Sequence, residues 1–325
     1  MAHIDRSLLL VVRSESIDDF REIARRVRKI DPAIDVLIFG DTVDPTKIPS
    51  HFLKQPLLSI YLVNPPPEDF VPQSGQLAVK GLNKLQEYEH FKKHNIPCLP
   101  IEEFKWGMTL DESIYGDWVV LKPQHIQSTG RDINMIPTKL IPTLKLEDFP
   151  EKHLIREDSY YVQKFVKTEV TPTHYRVLVF CEEVLYIRKV SSVIQFPNLN
   201  SKVEDLLKYN IASNLTDELR KTSMPKDQEI FDFALDIAKT QPSLPLFGFD
   251  ILRNEISKEI ICLEQNTGGN VWHFSSNLSR GTRRNLPSIQ RVAKTLDDKK
   301  SKINQYGAWD RTAKGLICKT YTFAK

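Results

Sequence analysis

The stretch FGFDILRNEISKEIICLEQNTGGNVWHF, residues 247–274, decides how the rest of the chain is read. Leu246–Leu252 is an apolar run that carries a single acid, Asp250. Glu259–Leu263 is a second run with β-branched Ile260 and Ile261, and Glu264 and Asn266 stand at its end. Between them Arg253–Lys258 is polar, with Asn254 and Ser257 to make a turn. Two strands and a short turn form a hairpin. Glu264 and Asn266 are two residues apart, so they point to one face, and strand pairing can bring Asp250 beside them. Three oxygen donors on one face suit a hard cation such as Mg²⁺. The alternative is a surface hairpin with ordinary polar residues, and the remaining sequence has to choose.

The chain has 325 residues, enough for two or three domains. Apolar residues make up 41% and charged residues 27%, the profile of a globular protein. With 45 basic and 42 acidic residues the net charge is +3, which gives no argument for a nucleic-acid partner. Cys98, Cys181, Cys262 and Cys318 are scattered without zinc spacing. Cys181 and Cys262 lie in apolar runs and read as core thiols of a reducing compartment. The N-terminal apolar run is too short for a secretory signal, and no segment reaches the ~20 apolar residues of a membrane span. The expectation is a cytoplasmic protein with no membrane partner.

Leu8–Val12 reads as a buried strand, Ile17, Phe20, Ile23, Ala24, Val27 and Ile30 as a helix face with Ser16 as its cap, and Asp35–Phe39 and Leu57–Val63 as two further strands. Apolar strands alternating with a helix imply a βαβ unit and a buried parallel sheet. No GxGxxG follows the first strand, so a dinucleotide fingerprint is absent. Pro65–Gln76 reads as a linker. Leu82–Asn95 reads as a helix with Leu82, Leu85, Tyr88 and Phe91 on one side. Asp117–Lys122 is a strand ending in a lysine, followed by a polar loop. Tyr160–Val166 is another strand, and His174–Phe180 with Val184–Ser191 a hairpin. Phe196–Asn214 is polar and irregular, and Lys226–Gln241 is an amphipathic helix. A helical region ends the chain near Ala324.

Taken in order, a strand-end lysine at Lys122, a loop with Gly130, a strand carrying Gln163-Lys164-Phe165-Val166, a hairpin with Arg176 and Arg188, and the closing hairpin with Asp250, Glu264 and Asn266 resemble the ATP-grasp superfamily. The subgroup they resemble is the glutathione-synthetase-like and ribosomal-protein glutamate ligase-like carboxylate–amine ligases. The resemblance covers roughly residues 80 to 325. It implies an α/β protein, α+β in its C-terminal part, with an N-terminal parallel-sheet βαβ domain (1–78) before a two-subdomain ATP-grasp fold (79–158 and 159–325).

The resemblance also assigns roles. Lys84 and Lys122 would place point charges on ATP phosphates, although Glu87 stands where some relatives carry another basic residue. Gln127–Asp132 would fold over the triphosphate, with Ser128, Thr129 and Gly130 cradling it through hydroxyls and backbone N–H groups. Arg131 would add charge where relatives carry more glycine. The hinge Gln163, Lys164, Phe165 and Val166 would read adenine, and Glu169 the ribose. Arg176 and Arg188 would hold a carboxylate or the transferred phosphate, and Asn270 would reach substrate. Asp250, Glu264 and Asn266 would hold two Mg²⁺ ions, or Mn²⁺ in their place. His273 reads as packed beside the pocket.

The implied reaction is ATP-dependent joining of a carboxylate to an amine through an acyl phosphate, with small-molecule or peptide partners and homo-oligomerisation as a further expectation. A kinase passing phosphate to a stable acceptor, and a non-catalytic ATP-binding module, are the two alternatives. Arg280, Arg283 and Arg284 point to an anionic acceptor or to a solvated basic face.

Overall fold

A computed structural model describes residues 4–63, 74–124, 131–198, 201–208, 220–275 and 288–325. Three sheets organise them. The first is parallel, built from β1 (Arg6–Val12), β2 (Ile34–Gly40), β3 (Leu57–Tyr61) and β4 (Gly75–Ala78) in the order β2-β1-β3-β4. Leu8–Val12 of β1 is apolar because α1 (Ile17–Ile30) buries Phe20, Ile23, Ala24 and Val27 on one face, while Ile48 and Phe52 cover the other. The stretch expected as a linker ends in a strand, since β4 begins at Gly75. Ser16 makes no side-chain cap bond; its hydroxyl pairs instead with Ser275 at 3.1 Å.

The second sheet is antiparallel, with β5 (Ile101–Glu103), β6 (Trp118–Pro123), β7 (Asn134–Pro137) and β8 (Tyr160–Lys164) in the order β5-β8-β6-β7. Because β8 pairs with β5 and β6, this sheet runs past residue 158 to Lys164. It is preceded by α2 (Lys84–Lys93), and α3 (Glu112–Tyr115) leads into β6. Asn83 and Gln86 close a reciprocal capping box that fixes where α2 starts. The helix buries Phe91 and, unexpectedly, Glu87, while Leu82, Leu85 and Tyr88 are only half-buried.

The third sheet is antiparallel and five-stranded, with β9 (Thr173–Phe180), β10 (Glu183–Ser192), β11 (Arg220–Ser223), β12 (Leu246–Arg253) and β13 (Ile260–Asn266) in the order β11-β10-β9-β12-β13. The short α4 (Val203–Lys208) interrupts the stretch expected to be irregular. Helix α5 (Gln228–Lys239), capped by Asp227, covers one face with Ile230, Ala234, Ile237 and Ala238 against Val177, Val179, Phe247, Phe249 and Ile251. The closing helices α6 (Ser288–Tyr306) and α7 (Ala308–Phe323) break at Gly307, whose φ of 71° ends the first. Helix α7 packs beside α1, so the first and third sheets share one core around Trp272, Phe274 and Trp309. Among the described residues no helix is long and apolar enough to cross a membrane.

Candidate active site

With α5 on one face of the third sheet, the polar chemistry lies on the other, beside Leu178, Phe180 and Leu246, which pack into the core shared with the first sheet. Strand register lines up a row across it. Arg188 on β10 lies opposite Arg176 on β9, Arg176 opposite Asp250 on β12, and Asp250 opposite Glu264 on β13. Two cations and two carboxylates therefore sit side by side on four adjacent strands. A bulge at Leu263 is what allows it. Asp250 pairs with Glu264 while its neighbour Ile251 pairs with Cys262, so one extra residue on β13 turns Cys262 toward the core and Glu264 toward the row.

Each member of the row has a partner. Arg176 grips Asp250 in a two-pronged contact, with Nη2 to Oδ2 at 2.6 Å. Asn266 Nδ2 donates to Glu264 Oε1 at 3.1 Å. Lys84, the first residue of α2, reaches Glu264 Oε2 at 3.1 Å and Glu87 Oε2 at 3.2 Å. Lys122, near the end of β6, donates to Gln163 Oε1 at 2.8 Å. The structure thus brings together Lys84, Lys122, Gln163, Arg176, Asp250, Glu264 and Asn266 from six separate elements.

Burial splits the ionisation of these groups. The Lys84 ammonium holds Glu264 well below the carboxylate range, against the cost of burial. Burial pushes Asp250 up to about 7, with Arg176 opposing, and pushes Glu87 up to about 7. Burial works against the Lys84 charge, yet Glu264 and Glu87 raise it above its ordinary value. Burial and the neighbouring Lys84 charge lower Lys122 to about 8. His174 faces the same row, 3.9 Å from Asp250, and burial with the Arg176 charge lowers it to about 3, so its imidazole is neutral.

An apolar wall adjoins the lysines. Leu99, Leu252 and Ile261 are buried together with half-buried Val166 and Leu263. A cavity of about 10 Å³, roughly the room for one water, lies between this wall and Lys84, Lys122 and Gln163. Strand β8 ends at Lys164, whose N–H bonds Pro100 O at 2.9 Å, and Phe165 N–H bonds Trp118 O at 3.1 Å, so the expected hinge is tied to the second sheet just before the chain crosses to the third.

Other expected residues lie elsewhere. Glu169 pairs with Lys189, on the strand position next to Arg188, and does not join the lysine network. Arg131 donates to Lys152 O at 2.8 Å and pairs with Asp132. Asn270 is exposed in the turn after β13. His273 Nδ1 lies 3.2 Å from the Tyr186 hydroxyl, and burial keeps its ring neutral. Ser128, Thr129 and Gly130, and Arg280, Arg283 and Arg284, lie outside the described residues. Sequence reading missed Glu87, His174, Leu99 and Leu263. The first had a signal, an acid three residues after Lys84 on one helix face; the others have none without the register.

Among the described residues no group of three or more histidine, cysteine or acidic side chains is gathered for a metal. The donor set for one is two carboxylates plus the Asn266 amide oxygen, left open because the amide nitrogen faces Glu264. These hard oxygen donors fit a divalent cation of the Mg²⁺ kind.

No family model matches the chain, and no curated protein matches it. Among solved structures the chain is similar to a D-alanine–D-alanine ligase from Bacillus anthracis, at 12% identity and a TM-score of 0.48, with 98% of this chain and 99% of that chain covered. It is similar to a D-cycloserine synthetase at 14% identity and a TM-score of 0.45, covering 90% and 99%. It is also similar to a macrocyclase from Microcystis aeruginosa bound with its precursor peptide, at 10% identity and a TM-score of 0.45, again covering 90% and 99%.

Proposed function

We propose that the chain is an ATP-dependent carboxylate–amine ligase working through an acyl phosphate. The observation that supports this reading is the row Arg188–Arg176–Asp250–Glu264 with Lys84 and Lys122 beside it. Such a row sets cations that attract an acid substrate beside carboxylates that attract a metal, and sets lysines next to them.

In this reading Lys84 and Lys122 bind the phosphates as point charges. Gln163, Lys164, Phe165 and Val166 border adenine, with the Val166 N–H and the Lys164 carbonyl offered to its polar edge because the Lys164 and Phe165 N–H groups are already bonded, and Leu99 and Leu263 meet its apolar face. Ser128, Thr129 and Gly130 cover the triphosphate. Asp250, Glu264 and Asn266 would hold Mg²⁺, or Mn²⁺, and a metal bound there neutralises charge that develops on the phosphates. Arg176 and Arg188 orient the substrate carboxylate, whose oxygen attacks the γ-phosphorus and releases ADP. The same arginines stabilise the acyl phosphate as an amine attacks its carbonyl carbon and phosphate leaves. Asn270, exposed beside the row, is available to the amine partner. The acid and amine are small molecules or peptide groups.

The test is phosphate release from ATP by the full chain against panels of acids and amines. The ligase reading expects release that requires both an acid and an amine, with ADP formed in equal amount. Transfer of phosphate to one stable acceptor, with no free phosphate, would assign a kinase instead.

A further inference from the structure

Cys98 follows α2 and Cys262 lies on β13, yet the two are partners in an isolated parallel β-bridge, with Cys262 N–H donating to Pro97 O at 2.9 Å. Neighbouring strands lie about 4.8 Å apart, inside the Cα separation of roughly 4.4–6.8 Å that a disulfide spans. Bridge partners present their side chains to the same side, and both cysteines line the cavity that also holds Lys84, Lys122 and Gln163. Both are reduced; Cys262 is buried and Cys98 half-buried, so an oxidant in solvent meets Cys98 first. In the reduced state the Cys262 thiol donates to the Glu264 backbone carbonyl at 3.8 Å, across the bulge that aims Glu264 at the row.

We propose that Cys98 and Cys262 are a redox modification site, whose disulfide closes the nucleotide site. The closing role rests on the ligase reading; formation of the bond does not. The oxidant class is a low-molecular-weight disulfide. The Cys98 sulfur, having lost its proton, attacks one sulfur of that disulfide and expels a thiol. The Cys262 sulfur then loses its proton and attacks the Cys98 sulfur of the mixed disulfide, expelling the second thiol. Two protein S–H bonds are lost, one S–S bond forms, and two electrons pass to the oxidant. The new bond pins the segment after α2 to β13 and removes the thiol contact to the Glu264 carbonyl, on the strand that aims Glu264 at Lys84. In a reducing compartment such a pair stays open until the poise shifts.

The experiment treats the full chain with excess oxidised glutathione, maps cysteine linkages by mass spectrometry, and titrates Mg·ADP before and after dithiothreitol. The expected result is an intact chain lighter by two hydrogens with Cys98 linked to Cys262, ADP affinity lowered at least tenfold, and recovery on reduction. Cys98→Ser and Cys262→Ser should each lose the link, and Cys98→Ser should bind ADP insensitively to oxidant. Glutathione adducts at Cys98 or Cys318 without the internal link would overturn the proposal, as would a link that leaves ADP affinity unchanged. If the link forms but neither redox form binds ADP, the modification site stands and the nucleotide reading fails.

Discussion

Arg176 on β9 and Asp250 on β12 face each other directly across the third sheet, with the guanidinium fork on both carboxylate oxygens and Nη2 to Oδ2 at 2.6 Å. Asp250 is 5% exposed, so this is a desolvated pair at the centre of the row. Removing one partner strands a buried charge. Arg176→Met should therefore cost about 3 kcal/mol in chemical denaturation, and Arg176→Met with Asp250→Leu should recover most of that loss.

Glu264 carries two duties, the pair with Lys84 and the place at the end of the row. Its folded pKa lies below its unfolded one, so the stability it contributes is complete above the unfolded value and is lost as pH falls through the folded value. Glu264→Gln should cost about 1 kcal/mol near neutrality, a partly exposed pair being worth little more, and should flatten the acid limb of the stability curve. Phosphate release should vanish. A variant with parental turnover would remove Glu264 from the chemistry.

Lys122, lowered from 10.5 to about 8 by burial and by Lys84, binds fewer protons folded than unfolded between those two values. Stability therefore rises with pH across that window by this group's share, and Lys122→Met should abolish that rise. In the proposed ligase, nucleotide binding runs the other way, because phosphates need the charged lysine. ADP affinity should fall as pH passes about 8 in the parent, and should be weaker but flat with pH in Lys122→Met.

Gly248, two residues before Asp250, lies under the turn that carries Asn270. A Cβ there would meet Val271 Cγ1 at 2.6 Å. Gly248→Ala should cost about 1–3 kcal/mol by overpacking and lower kcat more than stability alone explains, since it lifts the turn beside the row. Unchanged kcat in folded protein would separate that turn from the reaction.

Asp19 on α1 accepts from Trp272 Nε1 at 3.0 Å and from Lys299. It ties the first sheet's helix to the segment just past the row. Asp19→Ala should cost about 1–3 kcal/mol, because the buried indole N–H loses its acceptor, and should shift tryptophan fluorescence. A neutral result in both readouts would show that the joint is held by the apolar core alone.

The sequence made the hairpin around Asp250 and Glu264 legible because both strands are short apolar runs with turn residues between them, and a two-residue period settles which side chains share a face. The row as a whole was not legible. That Arg188, Arg176, Asp250 and Glu264 align depends on the register of four strands and on a bulge at Leu263, neither of which periodicity encodes. Lys84 and Lys122 were visible as charges at element ends, but their partners Glu264 and Gln163 come from distant sequence. Strand β4 was hidden because Pro and Ser dominate the residues before it, and only its place beside β3 makes Gly75–Ala78 a strand. Ser16 read as a cap because serine before an apolar helical pattern is the usual signal; the nearby Ser275 hydroxyl pairs with it instead.

In the proposed ligase Lys84, Lys122, Asp250, Glu264 and Asn266 form one Mg²⁺-dependent nucleotide site. Thermal unfolding of the full chain with ATP, with and without Mg²⁺ and with EDTA, tests it most directly. The expected result is stabilisation of about 2.7 kcal/mol at a hundredfold excess of ATP over its dissociation constant, dependent on Mg²⁺, reduced in Lys122→Met and lost in Glu264→Gln. No shift with Mg·ATP in protein that unfolds cooperatively would contradict it.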